Sequence, residues 1–141
     1  MKYYTDGSSR GNPGPGGFGV VILDNSGNLI TTYSEQTEYT TNNEQEMKAI
    51  IWASCYALTH KDPNPIIYSD SAYAINSFSK WMFNWERNDW LKKDGKQPEN
   101  LSLIKAFFEI YQNHYIELVK VQGHTDNKWN NLADRLAAGK I

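Results

Sequence analysis

A single cysteine, Cys55, stands in 141 residues. No intrachain disulfide can form, which excludes a disulfide-stapled scaffold and fits a reducing compartment. No apolar run is long enough to span a bilayer, and none at the N-terminus reads as a signal peptide. A cytoplasmic location without a membrane partner is therefore expected. Positive charge is not in excess either: 14 Lys and Arg are set against 16 Asp and Glu, for a net charge of −2. A general nucleic-acid binder carries a basic face, so a nucleic-acid partner must be argued from local features. Internal repeats and low-complexity tails are also missing. What is present is ordinary for a globular protein, 40% hydrophobic and 21% charged. The length suits one domain, residues 1–141, with its own core. The Met1 start and the ending at Ile141 suggest a free-standing protein, and a monomer is expected.

The chain opens MKYYTDGSSRGNPGPGG, read as a short strand ending at Asp6 and then a glycine- and proline-rich turn. Phe18 to Leu23, the turn Asn25-Ser26-Gly27-Asn28, and Leu29 to Tyr39 read as a hairpin. TTNNEQEMKAIIWASCYALTHK has helical spacing, with Met47, Ile50, Ile51, Ser54, Ala57 and Leu58 on one face; Pro63 and Pro65 lie beyond its end. PIIYSD is a continuous apolar strand of the kind buried on both faces of a parallel sheet. SAYAINSFSKWMF and ENLSLIKAFFEIYQN read as helices, YIELVKVQG as a strand, and Lys128 to Ala138 as a last helix. Three strands, then helices alternating with strands, predict an α/β fold: a five-stranded mixed sheet with helices on both faces.

Four carboxylates stand apart from the solvated charges. Asp70 falls where a buried parallel strand gives way to a helix, the place where ligands bind in open α/β sheets; it also suits a helix N-cap. Asp6 follows the first strand and reads equally as a turn residue. Thr41-x-x-Glu44 matches a capping box, which gives Glu44 a task and leaves Glu46 toward the core, unless Asn43 is the cap. A carboxylate there must be paired, hydrated or bound to a metal. Asp134 lies on the last helix between Ala133 and Ala137, small neighbours that permit close packing, and reads otherwise as a solvated helix charge. If the four converge, their repulsion calls for cations. Mg²⁺ takes oxygen ligands and keeps waters for substrate phosphates, and two such ions about 4 Å apart can clamp an in-line phosphoryl displacement. His124, in VQGHTDN before the last helix, is an acid/base candidate.

In this order and at these intervals, TDGSSRGNPGPGG, TTNNEQEM, YSDSAY and VQGHTDNKWNNLADRLA cover the chain from end to end. The sequence resembles a type 1 ribonuclease H, an enzyme that cuts the RNA strand of RNA–DNA hybrids. The resemblance implies a ribonuclease H-like fold and an RNA–DNA hybrid as partner. It implies two Mg²⁺ ions with substrate bound, Mn²⁺ substituting, held by Asp6, Glu46, Asp70 and Asp134, and a catalytic loop histidine in His124. It implies minor-groove contacts from Asn12, Asn42 and Asn43, where RNA's 2′-hydroxyls and A-like shape distinguish it from DNA. It further implies a grip on a DNA-strand phosphate by Thr41 and Asn100.

WMFNWERNDWLKKDGKQPEN resembles the family's protruding substrate-binding arm. Trp81 and Trp85 are expected to be packed, and Trp90, Lys92, Lys93 and Lys96 to face substrate. The arm is charge-balanced: Arg87, Lys92, Lys93 and Lys96 are offset by Glu86, Asp89, Asp94 and Glu99. The chain departs from relatives at Ala72, where a glutamine is common, in the turn LDNSGN, which has no arginine, and in GHTDN, which has no second glycine. Asp126 is expected to cap the last helix. Two rival readings are a non-catalytic hybrid-binding domain, for which four carboxylates have no use, and the ribonuclease domain of a retroelement polyprotein.

Overall fold

A computed structural model describes residues 1–123 and 126–140. Five strands form one sheet in the order β3-β2-β1-β4-β5: β1 (Lys2–Ser9), β2 (Gly14–Leu23), β3 (Leu29–Thr40), β4 (Ile66–Ser69) and β5 (Glu117–Lys120). β1, β2 and β3 pair antiparallel, while β4 runs parallel to β1 and to β5. The mixed sheet is as expected. The glycine-rich stretch is not all turn. β1 runs past Asp6 to Ser9, and Ser8 and Ser9 pair with Gly17 and Gly16 of β2.

β2 is apolar on both sides because both of its faces are covered. Phe18, Val20 and Ile22 join Met47, Ile50, Ala53, Ala57, Ile104 and Phe107 in the larger core, under α1 (Asn42–Thr59) and α4 (Leu101–Asn113). Val21 and Leu23 point the other way, against Ala133 and Leu136 of α5 (Lys128–Ala137). The α1 stripe is narrower than its spacing suggests. Ile51 is only half-buried, and Leu58, which lies one position beyond Ala57 and so turned off the face, is exposed.

The helix predicted over SAYAINSFSKWMF is interrupted. α2 (Ala72–Asn76) passes through one π-helical turn, Ser77–Trp81, into α3 (Met82–Arg87). The wider turn keeps the i, i+4, i+8 series Ala74, Phe78 and Met82 on one buried face, where a 3.6-residue turn would drift away. The outward series pays the consequence: Trp81, expected to be packed, is exposed, its ring set against those of Tyr73 and Trp85.

Candidate active site

The parallel ladder between β1 and β4 ends at the pair Thr5 and Ser69. Asp6 and Asp70 are the next residues along the chain after that pair, so adjacent strands about 4.8 Å apart deliver two carboxylates side by side. Asp70 is not a helix cap. Ser71 caps α2, its hydroxyl accepting from the Ala74 amide at 3.0 Å, which leaves the Asp70 carboxylate uncommitted to the helix.

Glu46 arrives from α1. Thr41, not Asn43, is the N-cap, accepting from the Glu44 amide at 3.2 Å, and Glu44 accepts from the Thr40 hydroxyl. One turn in, Glu46 Oε1 accepts from the Gly7 amide at 2.8 Å. Gly7 is the reason that α1 comes so close. A Cβ there would lie 2.3 Å from the Glu46 amide nitrogen and 2.4 Å from the Gln45 carbonyl carbon. Gly19 has the same function on the opposite face. It pairs with Asp6 across β1 and β2, and a Cβ on it would lie 2.4 Å from Leu136 Cβ and 2.7 Å from the Ala133 carbonyl oxygen. α5 therefore lies on the sheet at Asp6, with Asp134 beside that carboxylate.

Asp6, Glu46 and Asp70 each offer an oxygen within 4.8 Å of the others. Asp6 is 5% exposed. Burial, then the charges of Glu46 and Asp70, then Asp134, push its carboxyl up to about 10. Burial and the Asp70 charge raise Glu46 well above the usual carboxylate range, against the Gly7 hydrogen bond. Among the described residues the only ion pairs are Met1 with Asp62 and Lys48 with Glu44, so no side-chain cation neutralises the cluster. An all-oxygen donor set with unbalanced negative charge suits a hard divalent cation. Asp134, itself exposed, stands at the margin of the triangle. His124 lies outside the described residues. Gly123 just before it runs against Asp70, where a Cβ would come 2.9 Å from Oδ2.

The expected substrate residues fall into two groups. Asn12 and Asn42 belong to one knot beside the carboxylates: Asn42 Oδ1 accepts from the Ser9 amide at 2.7 Å, and Asn12 Oδ1 accepts from the Asn42 amide at 3.0 Å. Both side-chain oxygens being spent on backbone, both NH₂ groups are left as outward donors. Thr41 and Asn43 flank them at the start of α1, and the Thr41 hydroxyl is engaged in the cap. The arm is the second group. Lys92, Lys93 and Lys96 ride a tight turn closed by Lys92 N–H to the Lys96 carbonyl at 2.8 Å. Asn100 opens α4 from a left-handed conformation, just after Glu99, whose carbonyl accepts from the Tyr73 hydroxyl at 3.5 Å.

Trp90, expected to face substrate, is half-buried, edge-on to Phe108 at 5.2 Å with Lys105 Nζ 5.6 Å from its centroid. Its left-handed backbone (φ 63°) and the 2.6 Å bond from its amide to the Trp85 carbonyl turn the chain back onto α4. Asp126 does not cap α5. Asn127 does, its Oδ1 accepting from the Trp129 and Asn130 amides at 3.0 Å. Gly7 and Gly19 were missing from the predicted site, although glycine inside a strand signals close approach by another backbone.

The family model for RNase H matches residues 1–141. A ribonuclease H of Thermoanaerobacter sp. (strain X514) is 44% identical over 144 residues, covering 100% of this chain and 89% of its own. Among solved structures, the solution structure of the PFV RNase H domain superposes with a TM-score of 0.82 at 25% identity, covering 96% of this chain and 90% of its own. LC11-RNase H1, solved in complex with an RNA/DNA hybrid, gives 0.71 at 26% identity, with 96% and 91% covered. Matched along its whole length, the chain belongs to the ribonuclease H family of hydrolytic nucleases.

Proposed function

We propose that this protein hydrolyses the RNA strand of RNA–DNA hybrids, leaving 3′-hydroxyl and 5′-phosphate ends, as one domain acting as a monomer in the cytoplasm. The observation that carries the reading is the meeting of Asp6, Glu46 and Asp70 at the end of the parallel ladder, with Asp134 beside them and, among the described residues, no side-chain cation paired with them. A relative solved with an RNA/DNA hybrid supports the choice of substrate. Asp6, Glu46, Asp70 and Asp134 would hold two Mg²⁺ ions, or Mn²⁺ in their place. Bound there, the ions would supply charge stabilisation and an activated water for an in-line displacement at phosphorus.

The chain's own residues orient the substrate. The outward amides of Asn12 and Asn42, with Asn43, donate into the shallow minor groove and read 2′-hydroxyls and acceptor edges. Thr41 and Asn100, each at the start of a helix, grip a DNA-strand phosphate, with the helix N-terminus favouring the negative charge. Lys92, Lys93 and Lys96 follow the duplex backbone, and Trp90 anchors the arm that carries them. His124 moves a proton or assists product departure.

The test is incubation with matched labelled RNA–DNA, RNA–RNA and DNA–DNA duplexes, with and without Mg²⁺. Cutting of the RNA strand in the hybrid alone, and only with the metal, is expected. Equal cutting of RNA–RNA, or cutting in chelator, would overturn the reading.

A further inference from the structure

A cleft opens beside the carboxylates on the α5 face of the sheet. The end of β1, the C-terminal part of β3 and the C-terminal end of α5 form its walls, and Ser8, Arg10, Gln36, Thr37, Glu38 and Lys140 line it. Two of the elements that carry the carboxylates, β1 and α5, also supply its walls. Ser8 and Arg10 follow Asp6 at alternate positions, and four residues of extended chain span at most about 14 Å. On the opposite wall, Ala138 lies one turn beyond Asp134, its amide bonded to the Asp134 carbonyl at 3.1 Å.

Three features make this cleft receptive to an anion. Arg10 and Lys140 are exposed, and among the described residues neither has a carboxylate within ion-pair distance. The Arg10 backbone is fixed, its amide donating to the Pro15 carbonyl at 2.7 Å, so its side chain springs from a set point. The end of α5, whose free carbonyls would repel a phosphate, is covered. Gln36 Nε2 donates to the Leu136 and Ala137 carbonyls at 3.3 and 3.1 Å, and the Ser34 hydroxyl donates to Leu136 at 2.8 Å. Glu38 is the one acidic group in the lining.

We infer that Arg10 and Lys140 form a phosphate-binding subsite for the backbone of the nucleic-acid substrate on one flank of the cleavage point, separate from the Trp-rich arm. The inference rests on the hybrid-cleaving function proposed above. A strand carries a charge about every 3.4 Å of helix axis, so the phosphate held here lies within about four nucleotides of the carboxylates. Glu38 makes the contact weak, which leaves the subsite to fix register more than affinity.

The experiment compares wild type, Arg10→Ala/Lys140→Ala, Arg10→Lys and Glu38→Gln on hybrids with one cleavage point, shortened stepwise from either flank. KM, kcat and a salt series are recorded beside a melting curve for each protein. On long hybrids the double variant should raise KM about fivefold at low salt and lower the salt slope by at most about two, with kcat unchanged. Arg10→Lys should retain the slope, and Glu38→Gln should lower KM. Shortening one flank past the cleft should erase these differences, while shortening the other should preserve them. Wild-type cleavage of hybrids with identical KM and slope in the double variant overturns the subsite alone. So does a defect that persists when both flanks are short, which would mean that the residues act through the fold. Failure of the wild type to cut any hybrid overturns the function on which the subsite depends.

Discussion

Asp6 is held where a carboxylate is least at ease: buried, flanked by Glu46 and Asp70, and within reach of Asp134. Its proton affinity rises from an ordinary value near 3.8 to about 10. A carboxyl whose pKa is raised by folding contributes stability that is complete below the unfolded value and is lost as pH climbs through the folded value. The metal-free protein should therefore lose stability between about pH 4 and pH 10. Asp6→Asn removes the charge while keeping the shape. At pH 8 without metal this variant should be more stable than its parent by on the order of 2 kcal/mol, about 6 °C in a chain of this size. The advantage should vanish near pH 4, where the parent's Asp6 is already neutral. With saturating Mg²⁺ the order should reverse, because a cation that binds only the folded state stabilises the parent by mass action. Hybrid cleavage should be lost throughout. Melting curves at pH 4 and 8, with chelator and with Mg²⁺, measure all of this; equal midpoints at pH 8 in chelator would remove the electrostatic account of the site.

Strands and helices converge on these carboxylates because two glycines let them. Gly7 admits the backbone of α1 and Gly19 admits α5, so replacing either with alanine forces a helix off the sheet at Asp6. Overpacking against backbone costs about 1–3 kcal/mol. Gly7→Ala should therefore lower the melting temperature, and it should also reduce kcat beyond the loss of folded protein, since Glu46 moves with its helix. Gly27→Ala is the control. Its Cβ would meet nothing within 4 Å, but φ is +87°, so stability should fall by about 1 kcal/mol with kcat intact. Equal loss of kcat per unit of stability in the two variants would contradict this division. The sequence made the elements legible where burial has a period: the continuous apolar run of β2, the stripe on α1, the strand that ends at Asp70. Asp6, Glu46, Asp70 and Asp134 each had an ordinary reading by place alone, as turn, cap or solvated charge, and it is the family resemblance that singled them out together. The misreadings share one cause. Three-dimensional packing decides between neighbouring residues of similar chemistry, so Asn127 caps α5 in place of Asp126, and Trp81 turns out where it was expected to pack. The π-turn has no local signature that could have announced it.

Over the whole molecule, charge is arranged to place a substrate and not to attract one from afar. The net charge is −2, and the arm from Glu86 to Glu99 carries four acids against four bases. Few counterions should therefore be released when the arm meets a duplex, at about 0.9 units of salt slope per phosphate neutralised on B-DNA. Replacing Lys92, Lys93 and Lys96 with alanine should raise KM and flatten the salt dependence by at most about three units. The rate at saturation should barely change, because the tight turn bearing these lysines belongs to the arm and not to the carboxylate cluster. The reverse design cannot use all of the arm's acids. Asp94 Oδ1 accepts the Lys96 amide at 3.0 Å, and Asp89 holds a left-handed conformation (φ 54°) that aspartate tolerates better than lysine. Glu86 and Glu99 are exposed and have no ion pair among the described residues. Glu86→Lys with Glu99→Lys should therefore tighten binding and steepen the salt slope while the turn stays intact. KM and kcat on a short hybrid across a salt series, for both the alanine triple and the lysine double, decide the matter. A fall in kcat at unchanged KM in the alanine triple would mean that the arm shapes the active site itself, by way of Trp90 and α4, and that its charges are secondary.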